Sequence, residues 1–98
     1  MAGSIRLEWS ATALADLDRF VIFLRDRYPH LAQIIAAEIK DKARLLEEHP
    51  LLGRVIEGRP QFRELVLEVA KARYVFWYAF HGERLVMLRV FHGREQRE

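Results

Sequence analysis

The sequence predicts an α+β fold: a helical hairpin packed on one face of a small, mainly antiparallel sheet, in the order β-α-α-β-β-β. Three observations lead there. Three apolar runs with strand chemistry, Leu65–Val69, Tyr74–Phe80 and Leu85–Phe91, crowd the last third of the chain. Two helical patterns separated by Pro29 come before them. A short alternating segment, Ile5, Leu7 and Trp9 against Arg6 and Glu8, comes before both. Strands at both ends of a helical pair imply helices covering one face of a sheet.

The first strand ends at Trp9, and Ser10 stands where an N-cap hydroxyl can accept from an orphan N–H of the first helical turn. In the first helix Leu14, Leu17, Val21, Leu24 and Tyr28 form the expected core stripe, with Asp16, Asp18, Arg19, Arg25 and Asp26 on the wet sides. Pro29 ends that helix and can open the next, which is expected from about His30 to Glu48. Its apolar surface is Ile34, Ile35, Ile39, Leu45 and Leu46, with Ala32, Ala36, Ala37 and Ala43 allowing close approach to the first helix. Pro50 stops it, and PLLGRVIEGRPQ, residues 50–61, reads as an irregular loop. The three later runs are joined by Ala70–Arg73 and by His81–Arg84, short enough for hairpins and so for a meander.

With 98 residues, 51% hydrophobic and 31% charged, the chain is one domain, 1–98, with an ordinary core. It has no cysteine, so neither a disulfide framework nor a thiolate metal cluster is available. The opening MAGSIRLEW lacks the apolar core of a signal peptide, and no stretch approaches a membrane span. The expectation is a soluble cytoplasmic protein with no membrane partner. The second half is the more basic, mostly through arginine with acids interspersed, which reads as a solvated surface ahead of a nucleic-acid groove and suits an acidic protein segment equally well.

Splitting the strands by alternation gives Val75, Trp77 and Ala79 against Tyr74, Phe76, Tyr78 and Phe80, and Val86, Leu88 and Val90 against Leu85, Met87, Arg89 and Phe91. Neither face is polar. One face is therefore expected under the helices and the other under a partner, a second copy of the chain or the N-terminal strand.

The order and spacing of WSATALADLDRF at Trp9–Phe20, HPLLGR at His49–Arg54, REL at Arg63–Leu65, YVFWY at Tyr74–Tyr78 and RVFHGRE at Arg89–Glu95 resemble the ParE/RelE superfamily of toxins from type II toxin–antitoxin modules, the ParE-like branch most. The resemblance covers nearly the whole chain. It implies a cognate antitoxin that wraps the toxin, in a heterotetramer or larger complex that meets operator DNA only through the antitoxin. On that reading Phe76, Tyr78, Met87, Arg89 and Phe91 are the expected antitoxin-binding residues, with arginines at the rim pairing acidic side chains.

Two activities occur in the superfamily. RelE-like members cleave messenger RNA on the ribosome without a metal, which requires an acid, a base and cations about the phosphate. ParE-like members bind DNA gyrase and stabilise its cleaved-DNA state, without a catalytic set or a cofactor. For a ribonuclease the candidates are Arg63, Glu64, Arg73 and His92, but alternation puts Arg63 and Glu64 on opposite faces. Lys71 is the only lysine after residue 42, and His92 is followed by Gly93 where related ribonucleases end in His-Tyr. The sequence thus favours a gyrase inhibitor, with Arg54, Arg59, Arg73 and Arg94 as target-binding candidates. A nontoxic member that only binds the antitoxin as co-repressor is a third class. Each residue also has a plain structural reading: His92 as a turn residue, Trp9 and Trp77 as core anchors seeking an acceptor for the indole N–H, and His30, His49 and His81 as scattered polar residues without metal-ligand spacing.

Overall fold

A computed structural model describes residues 5–94. The elements are β1 Leu7–Trp9, α1 Ala11–Arg25, α2 Pro29–Ala43, α3 Leu45–Glu48, β2 Arg54–Ile56, β3 Arg59–Val69, β4 Ala72–His81 and β5 Arg84–His92. The strands form a five-stranded sheet in the order β1-β5-β4-β3-β2. Only β1 pairs in parallel, with β5; every other neighbour is antiparallel. The helical hairpin packs on one face, so the α+β architecture and its element order are as the sequence predicts.

Ser10 caps α1 as expected, its hydroxyl accepting from Ala13 N at 3.0 Å. The buried face of α1, however, is Ala13, Asp16, Leu17 and Phe20, while Leu14 and Tyr28 of the expected stripe are 40% and 56% exposed. The second half of this helix is apolar on most sides, so periodicity alone could not say which side meets the sheet. In α2 the buried positions are Ala32, Ile35, Ile39 and Ala43, and Ile34 is exposed. The expected single helix to Glu48 breaks at Arg44, whose N–H turns back to the carbonyls of Asp41 and Lys42, and α3 then buries Leu46.

Residues 50–61 are not an irregular loop. Arg54–Ile56 pairs with Arg59–Glu64 as a hairpin closed at Glu57–Gly58. The β-branched pair Val55-Ile56 supplies the strand propensity, and Pro60 is tolerated beside the start of its strand. The β3–β4 hairpin turns through Ala70 and Lys71 alone, both at positive φ, 49° and 68°. That geometry matches the right-handed strand twist but is one that Asn and Gly adopt far more readily.

A bulge interrupts the β4–β5 ladder: Trp77 lies opposite Arg89 and Tyr78 opposite Met87, so Leu88 has no partner. It reverses the alternation of β5. Val90 joins Leu85 and Met87 in the main core, and Phe91 does not. The partner face assigned from the sequence is corrected accordingly. Phe76, Tyr78 and Met87 lie at 0% exposure in the core that the helices cover, where a partner cannot reach them without opening the fold. Phe91 lies on the opposite face and is itself buried at 4% exposure, its ring packed edge-to-face against Trp77 at 4.9 Å and under the Arg89 guanidinium at 4.7 Å. Both sheet faces are apolar in sequence; the helices took the aromatic one, which offers more area to bury.

Candidate functional site

Arg89, expected at an antitoxin interface, is tied to the fold. β1 pairs with β5 only as far as Met87, and beyond it the buried Asp16 carboxylate accepts the Val90 N–H at 2.8 Å. Asp16 also accepts from Arg89 Nε at 2.9 Å and Nη2 at 3.2 Å, and from Arg19 Nη1 at 2.9 Å. Burial pushes the Asp16 carboxyl up, but the bonds from Arg89, Val90 and Arg19 together outweigh it and hold the group below the usual carboxylate range. This knot joins α1 to the edge of β5 beyond the end of β1. Sequence reasoning put Asp16 on the wet face, although it falls between Ala13 and Leu17 on the side that is buried.

Arg63 and Glu64 do lie on opposite faces, and each is engaged. Arg63 Nη1 donates to the carbonyls of Gly53 at 2.7 Å and Leu51 at 3.2 Å. Beside it the Tyr78 hydroxyl accepts from Gly53 N and donates to Pro50 O, both at 2.8 Å. Burial raises the pKa of that phenol, partly offset by the Gly53 N–H and the charge of Arg63. Gly53 passes so close that an added Cβ would lie 2.8 Å from both Glu64 O and the Tyr78 ring, so only glycine fits. On the other face Glu64 accepts the Trp77 indole N–H at 2.7 Å and pairs with Arg54 at 3.3 Å. His92 is three rows along the sheet and two strands across from Glu64, roughly 14 Å away and on the helix side. Its ring packs edge-on against Tyr74 at 5.4 Å, and its Nδ1 accepts from Arg94 N at 3.2 Å. Arg63, Glu64, Arg73 and His92 therefore do not converge on one reacting group.

The four arginines expected to meet the target divide into two groups. Arg54 and Arg59 lie on the β2–β3 hairpin. Arg73 and Arg94 lie near the other end of β3, roughly 30 Å along the strand from Arg59. There Lys71, Ala72, Arg73, His92, Gly93 and Arg94 line an open recess of about 380 Å³. Gly93 N–H donates to Arg73 O at 2.7 Å, and a Cβ on Gly93 would lie 3.0 Å from that oxygen, so the glycine lets the two chain segments close together. Next to the recess, Phe20, Phe23, Leu24, Leu31, Ile35 and Tyr74 line a larger apolar groove of about 610 Å³ between the hairpin and the sheet. Sequence reasoning missed this groove, whose one-dimensional signal was the surplus of apolar residues in α1.

Among the described residues there is no group of His, Asp or Glu that could hold a metal ion, and no helix is long and apolar enough to cross a membrane.

A family model described as the ParE toxin of the type II toxin–antitoxin system parDE matches residues 7–97. Toxin RelE1 of Caulobacter vibrioides is 30% identical over 88 residues, which cover 90% of this chain and 92% of that protein. A solved structure described as the chromosomal ParDE TA system from P. aeruginosa superposes with a TM-score of 0.75 at 19% identity, covering 93% of this chain and 98% of that one; at that identity the likeness speaks for the fold.

Proposed function

The chain belongs to the ParE toxin family of type II toxin–antitoxin systems, and from that premise we propose that it arrests growth by binding DNA gyrase and is neutralised by a cognate antitoxin. The observation that carries this reading is the commitment of the would-be ribonuclease residues elsewhere. Arg63 holds loop carbonyls on one face of β3, and Glu64 holds an indole on the other. An acid, a base and phosphate-binding cations must surround one phosphate to cleave RNA, whereas inhibition by binding needs only an accessible surface. The cations of the Lys71–Arg73–Arg94 end supply such a surface. The antitoxin is a protein whose apolar side chains suit the groove beside α1 and α2.

The test is a gyrase supercoiling reaction titrated with the purified toxin. Loss of supercoiling with accumulation of cleaved plasmid, reversed by the antitoxin, is the expected result. A second reading, ribosome-dependent cleavage of messenger RNA, is favoured by the name and 30% identity of the relative Toxin RelE1 and by the presence of His92 in the recess. Unchanged supercoiling together with cut messenger RNA on translating ribosomes would establish that reading instead.

A further inference from the structure

We propose that the recess formed by Lys71, Arg73, His92, Gly93 and Arg94 is a binding site for the phosphodiester backbone of DNA. The proposal deepens the gyrase reading, on which it rests for its biological setting: of the two arginine groups on the sheet, this one meets the nucleic acid.

Several independent features converge here. Lys71, Arg73 and Arg94 make no ion pair with any other described residue, whereas Arg54, Arg84 and Arg89 on the same sheet each hold a carboxylate. Among the described residues no carboxylate lines the recess, and Glu68, opposite Arg73 in the β3–β4 ladder, makes no ion pair with it. Cations gathered without an acceptor repel one another, and an anion relieves that repulsion. The gathering is also built. Gly93 closes on the Arg73 carbonyl and so holds the start of β4 beside the end of β5, which brings Arg94 alongside Arg73. Lys71 is displayed by a turn in which neither residue is glycine though both take positive φ, and backbone strain retained at a charged site points to function.

The lining selects the ligand class. Apart from Ala72, it offers only cationic side chains, one imidazole and a glycine backbone. It can read charge and position, as contacts to a phosphate backbone do, but offers no branched aliphatic, Phe, Tyr or Trp side chain to anchor a peptide. Peptide chemistry belongs to the adjoining groove, which carries the aromatic and aliphatic rings. The two share Ala72, His92 and Arg94, so a segment seated in the groove would crowd the recess.

The experiment needs neither gyrase nor ribosomes. Binding of the full-length toxin to a fluorescent, mixed-sequence DNA duplex is followed by anisotropy over a range of salt concentrations. Three proteins are compared: wild type, K71Q/R73Q/R94Q, and R25Q/R27Q/K40Q, which removes the same charge from α1, the turn after it and α2. Circular dichroism confirms that each is folded, and R94Q alone, beyond the end of β5, serves if the triple variant is not. The recess variant should bind at least about tenfold more weakly at low salt. Its plot of log K against log salt should flatten by roughly 2.7, since each phosphate contact contributes about 0.9. The helix variant should bind as wild type does. Equal losses in both triple variants would reduce the effect to net charge and overturn the site. Absence of duplex binding, with tight binding of a polyglutamate peptide that K71Q/R73Q/R94Q abolishes, would reassign the recess to an acidic protein segment. Failure of the gyrase reaction with DNA binding intact would reject the setting and keep the site.

Discussion

Arg89 and Arg73 stand on neighbouring strands of one sheet and read alike in the sequence, each set among apolar and aromatic residues. Arg89 is consumed by the fold: its guanidinium holds the buried Asp16 carboxylate on one side and covers the Phe91 ring on the other. Arg73 contributes its backbone carbonyl to Gly93, and no described carboxylate takes its side chain. The difference lies entirely in what the third dimension brings near. An arginine with a buried partner serves stability, and one held without a partner is left to serve recognition.

Removing Asp16 breaks the first half of that comparison and should have the largest effect. Asp16→Ala strands the Val90 N–H and leaves Arg89 and Arg19 without their shared acceptor. Both arginines keep part of their solvent, so the cost should be about 3 kcal/mol, at the low end for a broken buried pair. Urea unfolding measures it, and a loss below about 1 kcal/mol would mean that the knot contributes no more than an exposed pair does. The same group sets a pH dependence. Its folded pKa is depressed, so its contribution is complete above the unfolded value near 3.8 and is lost as pH falls through the lower folded value. The gap in melting temperature between wild type and Asp16→Asn should therefore be constant from neutral pH down to about 5 and narrow below about 4.

Tyr78→Phe tests the second internal anchor. Without the hydroxyl, Gly53 N–H and Pro50 O lose their partner in the loop after α3, and about 1–2 kcal/mol should go with it. The β2–β3 hairpin should also exchange its amide hydrogens faster, because this hydroxyl pins the loop that leads into it. Unchanged exchange there would show that the sheet pairing alone holds the hairpin.

Much of the fold could be read from the sequence because its signals are local. Ser10 before an amphipathic run, Pro29 between two helices and the three late apolar runs depend only on neighbours in the chain. The buried face of α1 was not legible, since Ile22 and Phe23 are as apolar as the residues that became core. Nor was the outward set in the sheet. A single extra residue at Leu88 sent Val90 under the helices and Phe91 to the opposite face, and no alternation rule anticipates a bulge without the partner strand in view. The candidate site was half legible: Arg73, Arg94 and His92 were named, but Lys71 was noted only as an isolated lysine. What joins it to them is the two-residue turn at Ala70–Lys71 and the approach of Gly93, both consequences of strand register.

That turn offers a way to sharpen the comparison. If the positive φ at Ala70 is strain kept for the display of Lys71, Ala70→Gly should stabilise the protein by about 0.5–1 kcal/mol, the relief of the left-handed penalty less the entropy of glycine. Duplex binding should be unchanged or slightly weaker through a looser Lys71. A destabilising Ala70→Gly would mean that the turn carries no strain worth relieving, and would remove one support for a built recess.

The smallest effect is expected at Arg84, which is paired like Arg89 but in the open. Its Nε and Nη2 reach Glu8 at 3.2 Å each, across the parallel β1–β5 contact. The hydrogen bond from Arg84 lowers the Glu8 pKa, yet both side chains stand in water, where screening and side-chain entropy absorb most of the attraction. Arg84→Ala should leave the unfolding midpoint within experimental error and be insensitive to salt. A loss comparable to that of Asp16→Ala would mean that holding a carboxylate is itself what matters. Burial would then have to be abandoned as the property that separates the arginines spent on the fold from those left for a partner.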